Sequence, residues 1–228
     1  MADHIADAEQ LEALKRWWKQ YGAGLALALV LGIGGWFGWQ QWQSARESRA
    51  QAASLVYEEM MSAIGTSAVE ELSGEPLKAV AAAAEKLRAD YAGTNYERLA
   101  RLMLARLALA RDDLDAAAAE LRAVMDDDGD AELALVARLR LVRVLAAQQR
   151  YDDALRLAEG EFPQAVAAEF AEARGDIHAL RGDREAARSA YQTALDASAV
   201  QGNSLLTSLL RIKLDQQQPA AAKAGDAS

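Results

Sequence analysis

The chain has 228 residues, with 25 Lys and Arg against 34 Asp and Glu, a net charge of −9 and no Cys. So acidic a chain offers nucleic-acid phosphates little attraction, since proteins that bind nucleic acid cluster Lys and Arg on one face, and we expect no nucleic-acid partner. The absence of Cys excludes disulfides, thiolate metal sites and a lipid anchor attached through Cys.

An uncharged run near the N-terminus predicts a helix that spans the lipid bilayer. Residues 22–39 read GAGLALALVLGIGGWFGW. Residues 21–42 would form about 31 Å of helix, close to the ~30 Å hydrocarbon core of a bilayer. The run is too long for the core of a signal peptide and ends without a small-residue cleavage site. We therefore assign residues 22–42 as an uncleaved signal anchor. Aromatic rings, which prefer the headgroup level, lie at both ends: Trp17, Trp18, Tyr21, Trp36, Trp39 and Trp42.

Basic residues beside the predicted anchor give its orientation. Lys15, Arg16 and Lys19 precede it, whereas only Arg46 and Arg49 follow it closely. Lys and Arg near a span favour the cytoplasmic side. We predict that residues 1–21 form a short tail inside the cell and that the long remainder of the chain is translocated.

Two glycines in the span, Gly34 and Gly38, have the G-x-x-x-G spacing. Small residues four positions apart allow a second helix to approach closely. We take this face as a candidate docking site for a membrane partner, although Gly is common in spans of every kind.

After the span the pattern is helical. Residues 44–216 show no strand-like alternation, and clusters of turn residues separate runs that fit helices of about 12 to 18 residues. Leu114, Tyr151 and Arg184 begin similar segments at close to the tetratricopeptide period of about 34 residues. We therefore predict an all-α protein with a single N-terminal transmembrane helix followed by a tetratricopeptide-like helical-repeat solenoid at residues 43–215. Residues 216–228, rich in Gln and Ala, are expected to be a disordered tail.

Each repeat is expected to consist of two helices that cross closely at small residues. Pro163 cuts short the second helix of the middle pair, because Pro cannot continue a helix that precedes it. Residues 203–215 are expected to form a helix that closes the array. The expected crossing positions are Ala105 with Ala117, Val142 with Ala154, and Gly175 with Ala187.

The sequence carries no recognisable catalytic or metal motif. Its two His residues, His4 and His178, lie on opposite sides of the predicted span, and His178 fits a packed helix position. The Asp row at residues 126–130 lacks the spacing of a calcium loop and fits a solvated turn at a helix end. We expect no enzymatic activity, no metal and no cofactor.

The repeats offer a surface for other proteins. The first helices of a tetratricopeptide array line a concave groove, and here they interleave apolar residues with Arg, which suits extended or partly unfolded segments. The candidate partner-binding residues are Arg106, Arg143, Leu102 and Leu139. The two Leu residues fit the core between helices equally well.

Two stretches of the chain resemble the YfgM family. Residues 9–22, EQLEALKRWWKQYG, are similar to the family's N-terminus, which runs into a Gly-rich span. Arg174-Gly175-Asp176, Gly182-Asp183 and residues 186–191, AARSAY, are similar to its final repeat. The likeness extends from about residue 7 to about residue 215.

The resemblance implies an ancillary subunit of the SecYEG translocon in the bacterial inner membrane, with a cytoplasmic N-terminus and a periplasmic C-terminal domain. It also implies contact with a PpiD-like membrane-anchored chaperone and with unfolded translocating chains, and hand-over of translocated proteins to the periplasmic chaperone network. A link between the cytoplasmic tail and a stress regulator is implied as well. The family has no catalytic residues.

The residues alone leave two other functions open. The first is a membrane-anchored tetratricopeptide scaffold for another cell-envelope complex, such as the division or outer-membrane assembly machinery. The second is an anchored enzyme with an unrecognised carboxylate site.

Overall fold

The computed structural model describes residues 3–217, except for the side chains at positions 3–14, 16, 23, 25–28 and 70. All regular structure in this part of the chain is helical, as the sequence predicts. A 3-10 turn, Val69–Glu71, follows the first helix. The helices are α1 (Asp3–Ile64), α2 (Gly74–Asp90), α3 (Asn95–Leu109), α4 (Leu114–Met125), α5 (Ala131–Ala147), α6 (Tyr151–Ala158), α7 (Gln164–Arg181), α8 (Arg184–Gln201) and α9 (Ser204–Gln216).

The chain divides into two units between Ala52 and Ala53. In the first unit the described aromatic side chains of α1 are exposed. The rings of Trp39 and Trp42 lie 5.3 Å apart, and the Arg46 guanidinium lies 4.6 Å from the centre of the Trp42 ring. No helix within the described residues has both the length and the apolar character needed to cross a membrane. Positions 23 and 25–28 of the predicted span lie outside the described side chains.

Polar side chains at the predicted turns fix where the helices of the second unit begin. Each accepts a hydrogen bond from a backbone N–H in the first turn, which satisfies a donor that has no partner inside the helix. The N-terminal caps are Thr94 for α3, Asp113 for α4, Asp130 for α5, Asp183 for α8 and Asn203 for α9. The turn residues in the sequence therefore mark real helix boundaries.

The second unit has three hydrophobic cores arranged along the chain. The first joins the end of α1, from Ala53 onward, to α2 and α3. The second joins α3 through α7, and the third joins α7, α8 and α9. All six predicted crossing positions are buried, and Ala117, Ala154 and Ala187 have no exposed surface. Small buried residues therefore lie at the expected places in each helix pair.

Helices α7 and α8 are in close contact at Gly175. A Cβ atom at this position would overlap the ring of Tyr191 on α8. The sequence analysis paired Gly175 with Ala187, whereas the residue that covers it is Tyr191, one turn further along α8. The Tyr191 hydroxyl donates to Asp176 Oδ1 at 2.7 Å. Burial, together with this contact to a carboxylate, raises the pKa of Tyr191 well above its usual value.

The middle pair is irregular, and Pro163 directly precedes the first residue of α7 instead of following the last residue of α6. Helix α6 has only 8 residues and ends at Ala158. Arg138 of α5 donates to the carbonyls of Leu157 and Glu159 at 2.6 and 2.8 Å. Its guanidinium also lies 4.8 Å from the centre of the Phe162 ring. Arg138 thus satisfies carbonyls that the shortened helix leaves without partners.

The Asp row between α4 and α5 has a structural role that the sequence analysis missed. Asp127 accepts from the buried Arg98 at 2.6 Å and from the Gly129 N–H at 2.7 Å. The hydrogen bond from Arg98 holds the pKa of Asp127 below its usual value. A Cβ at Gly129 would overlap the Arg98 guanidinium. Asp127 is therefore a partner for a buried cation in addition to being part of a turn.

Helix α9 follows α8 as the predicted closing helix. Leu206 and Leu210 are buried in the third core. The helix ends at Gln216, and residues 218–228 of the predicted tail lie outside the described residues.

The contact between Gly175 and Tyr191 generates a stability prediction. Gly175→Ala should lower the free energy of unfolding by about 1 to 3 kcal/mol, because an added methyl group in a filled core forces its neighbours to move. Urea unfolding of the full chain, followed by circular dichroism, measures the change. In a Tyr191→Leu background the same substitution should cost less, since the ring is gone. An equal cost in both backgrounds would contradict the proposed clash.

Candidate functional site

An open groove of about 450 Å³ lies in the second unit. Helix α3 supplies Leu99, Leu102, Met103 and Leu109 to its apolar wall, and Tyr57 of α1 adds an aromatic ring. Two cationic side chains also line it, Arg106 of α3 and Arg140 of α5. An apolar wall with a few polar groups is the usual composition of a binding surface.

The sequence of α3 explains why this helix lines the groove. Leu99, Leu102, Arg106 and Leu109 recur at steps of three and four residues, so they lie along one side of the helix. Leu107 is buried in the first core and Ala105 in the second. Both flanks of α3 are therefore covered by neighbouring helices, and the remaining side faces the groove.

The structure separates the predicted binding residues into two groups. Arg106 is exposed and lines the groove, and Leu102 lines it as well, although only 8% of Leu102 is exposed. Leu139 is half-buried against the second core, and Arg143 is exposed on α5. Neither Leu139 nor Arg143 lines the groove with Arg106.

Arg143 belongs instead to a cluster of charges around Glu172 of α7. Arg143 Nη2 lies 3.5 Å from Glu172 Oε2, and Lys213 Nζ of α9 donates to Glu172 Oε1 at 2.8 Å. Lys213 also contacts both carboxylate oxygens of Asp176, at 2.7 and 2.8 Å. Only 7% of the Glu172 side chain is exposed. A buried carboxylate needs paired cations, so Arg143 contributes to holding α5, α7 and α9 together.

Sequence reasoning missed Arg140 as a groove residue. The buried positions of α5 include Ala137, Leu141 and Leu145. This pattern predicts that both Arg140 and Arg143 lie outside the core. Which of the two faces α3 depends on how the helices are arranged in space. The signal available in the sequence was the presence of two Arg residues on one exposed side of α5.

Gly34 and Gly38, the predicted docking pair, lie in the first unit. Apart from the backbone of α1 itself, a Cβ at either position would meet no described atom within 4 Å.

No group of three or more Asp, Glu or His side chains in the described part of the chain is arranged to hold a metal ion. His178 of α7 is half-buried, with its Nδ1 atom 3.7 Å from Asp183 Oδ2. The side chain of His4 lies outside the described residues. The groove is thus the candidate functional site.

Comparison with known proteins gives the family. The profile of the tetratricopeptide repeat-like domain matches residues 15–218. A protein of Escherichia coli (strain K12), named "Ancillary SecYEG translocon subunit", is 30% identical over 207 residues, which cover 91% of this chain and 94% of that protein. The chain belongs to the YfgM family. The resemblance read from residues 9–22 and from the last repeat is thereby confirmed.

Proteins of the same name in Haemophilus influenzae and Neisseria gonorrhoeae are each 27% identical to the chain over 215 residues. These alignments cover 94% of this chain and 99% of each relative. No solved structure matches the chain significantly.

The charge cluster around Glu172 generates the second prediction. Arg143→Glu should lower the free energy of unfolding by about 1 to 2 kcal/mol, because it places a second carboxylate beside a buried one. Arg140→Glu is the matched control, since Arg140 is exposed on the same helix and makes no such contact. Urea unfolding of both full-length variants gives the difference. Equal stability of the two variants would show that Arg143 has no role in the fold.

Proposed function

We propose that the chain is an ancillary subunit of the SecYEG translocon. The observation that carries the proposal is the similarity to proteins of that name. Each of the three alignments covers 91% or 94% of this chain. The family profile matches residues 15–218, so the likeness includes the predicted span as well as the repeats. The proposal therefore includes both the N-terminal region and the repeat array.

The second part of the proposal concerns the membrane. Residues 22–42 anchor the chain once in the bacterial inner membrane, with residues 1–21 in the cytoplasm and residues 43–215 in the periplasm. The uncharged sequence of residues 22–39 and the excess of Lys and Arg before it support this topology. The exposed Trp rings of α1 suit the headgroup level. The contact between Arg46 and Trp42 suits the same polar boundary.

The third part concerns partners in the periplasm. The repeat array links translocated proteins to the periplasmic chaperone network by binding unfolded translocating chains and a PpiD-like membrane-anchored chaperone. The groove beside α3 supports this role, because it combines apolar side chains with exposed cations. Leu102 and Arg106 lie in the groove, whereas Leu139 and Arg143 would act from the adjoining helix α5. On the cytoplasmic side, residues 1–21 contact a stress regulator.

Co-purification tests the proposed function. The tagged full-length chain is recovered from native membranes in a mild detergent, and bound proteins are identified by mass spectrometry. SecY, SecE and SecG should be enriched together with a PpiD-like chaperone, relative to an unrelated tagged single-pass protein of the same membrane. Recovery of division or outer-membrane assembly proteins in their place would overturn the translocon assignment and favour a scaffold for another envelope complex.

The glycine pair generates a prediction for the membrane contact. The double variant Gly34→Leu with Gly38→Leu should reduce recovery of the translocon subunits about fivefold, because added side chains keep a second helix from approaching. Gly32→Leu is the matched control, since Gly32 lies on the opposite side of the helix. Full recovery with the double variant would exclude docking through this face.

A further inference from the structure

The three Arg residues near the middle of α5 have different surroundings. Arg138 donates to the carbonyls of Leu157 and Glu159, and Arg143 pairs with Glu172. Arg140 lines the groove and makes no hydrogen bond or ion pair with a described residue. Of these three guanidinium groups, Arg140 is the one whose donors remain available to a bound molecule.

The charged side chains among the described residues that line the groove are both cationic, although the protein as a whole is acidic. These side chains are Arg106 and Arg140, and none of the described residues that line the groove is acidic. Arg106 already has an interaction within the protein, whereas Arg140 offers donors that no described residue uses. The whole chain, in contrast, carries a net charge of −9. The surface therefore repels anions in general, and the groove is a local exception that favours them.

The apolar wall determines what kind of anion fits. Leu109 is 41% exposed, and Leu99 and Met103 are partly exposed in the same groove. An inorganic anion or a purely acidic segment would leave this wall in contact with water. A segment with apolar side chains would cover the wall, and Met103 can adjust its shape to different side chains.

We propose that the groove binds a partner polypeptide segment in which an apolar side chain lies next to an Asp or Glu carboxylate, and that Arg140 selects the carboxylate. This inference rests on the proposed role of the groove in partner binding. The apolar side chain packs on the wall formed by α3. The guanidinium of Arg140 donates to the carboxylate in the planar, two-bonded geometry that Arg favours.

Because Arg140 is exposed, we expect its ion pair with the bound carboxylate to contribute only modestly to the binding affinity. An exposed ion pair adds little to affinity because water and salt screen it, but it discriminates strongly between opposite charges at the same place. Binding should therefore be weak, sensitive to salt and selective for charge. Such contacts suit segments that must be released again.

Three fluorescent synthetic peptides of equal length test the proposal on the full chain in mild detergent. One alternates Leu and Phe with Asp and Glu, the second replaces the acidic residues by Lys, and the third keeps the acidic residues but replaces Leu and Phe by Ser. Fluorescence anisotropy at low salt should show that the acidic apolar peptide binds about fivefold more tightly than either of the others.

Charge reversal at Arg140 is the decisive variant. With Arg140→Glu the acidic apolar peptide should lose about fivefold in affinity and the Lys peptide should gain. Arg211→Glu on α9 is the matched control, because Arg211 is exposed, does not line the groove and changes the net charge equally. A gain of affinity for the Lys peptide cannot result from loss of folding.

The possible outcomes separate the two proposals. Equal binding of acidic and basic peptides, or equal effects of Arg140→Glu and Arg211→Glu, would overturn the selection of a carboxylate by Arg140 even if the translocon subunits co-purify. Charge-selective binding that reverses with Arg140→Glu would support it even if the translocon subunits do not co-purify. In that case the selection of a carboxylate by Arg140 would be supported and the assignment as a translocon subunit would be wrong.

Discussion

The paired helices of the array can lie close together because each pair has an Ala or Gly at a buried position of the predicted crossing. Ala117 and Ala154 have no exposed surface, and Gly175 leaves room for the ring of Tyr191. A larger side chain at any of these positions would push the two helices apart, since protein interiors have few voids to absorb added volume. Helices α3 and α5 of two such pairs share the second core and both line the groove. The fold thus determines where partners can bind.

Charged side chains in the array fall into two groups with different roles. Arg98, Arg138 and Arg143 satisfy a carboxylate or backbone carbonyls inside the protein, so they stabilise loops and helix contacts. Arg140 makes no hydrogen bond or ion pair with a described residue, and it lines the groove. The same residue type therefore serves the fold at some positions and is available to a partner at others. Contacts in the structure distinguish the two groups, whereas composition does not.

The all-α fold and the helix ends of the repeat array could be predicted from the sequence, because the signals are local. Asp113 and Asn203 cap the helices that follow them, and the second helix of the middle pair, expected to be short, has 8 residues. The groove could be predicted only in part. Arg106 and Arg140 line it, but the sequence favoured Arg143 over Arg140, since the direction of a side chain relative to another helix depends on tertiary packing. The contacts of Gly175 with Tyr191 and of Asp127 with Arg98 were missed for the same reason, because each joins residues on different elements.

Site-specific photo-crosslinking in living cells tests most directly whether partners bind in the groove of a translocon-associated chain. A photoreactive amino acid replaces Leu109, which lines the groove, or Val200 on α8, which is 69% exposed and does not line it. The account predicts crosslinks to translocon subunits, a membrane-anchored chaperone or translocating chains from position 109, and few or none from position 200. Crosslinks to those proteins from position 200 but not from position 109 would contradict it.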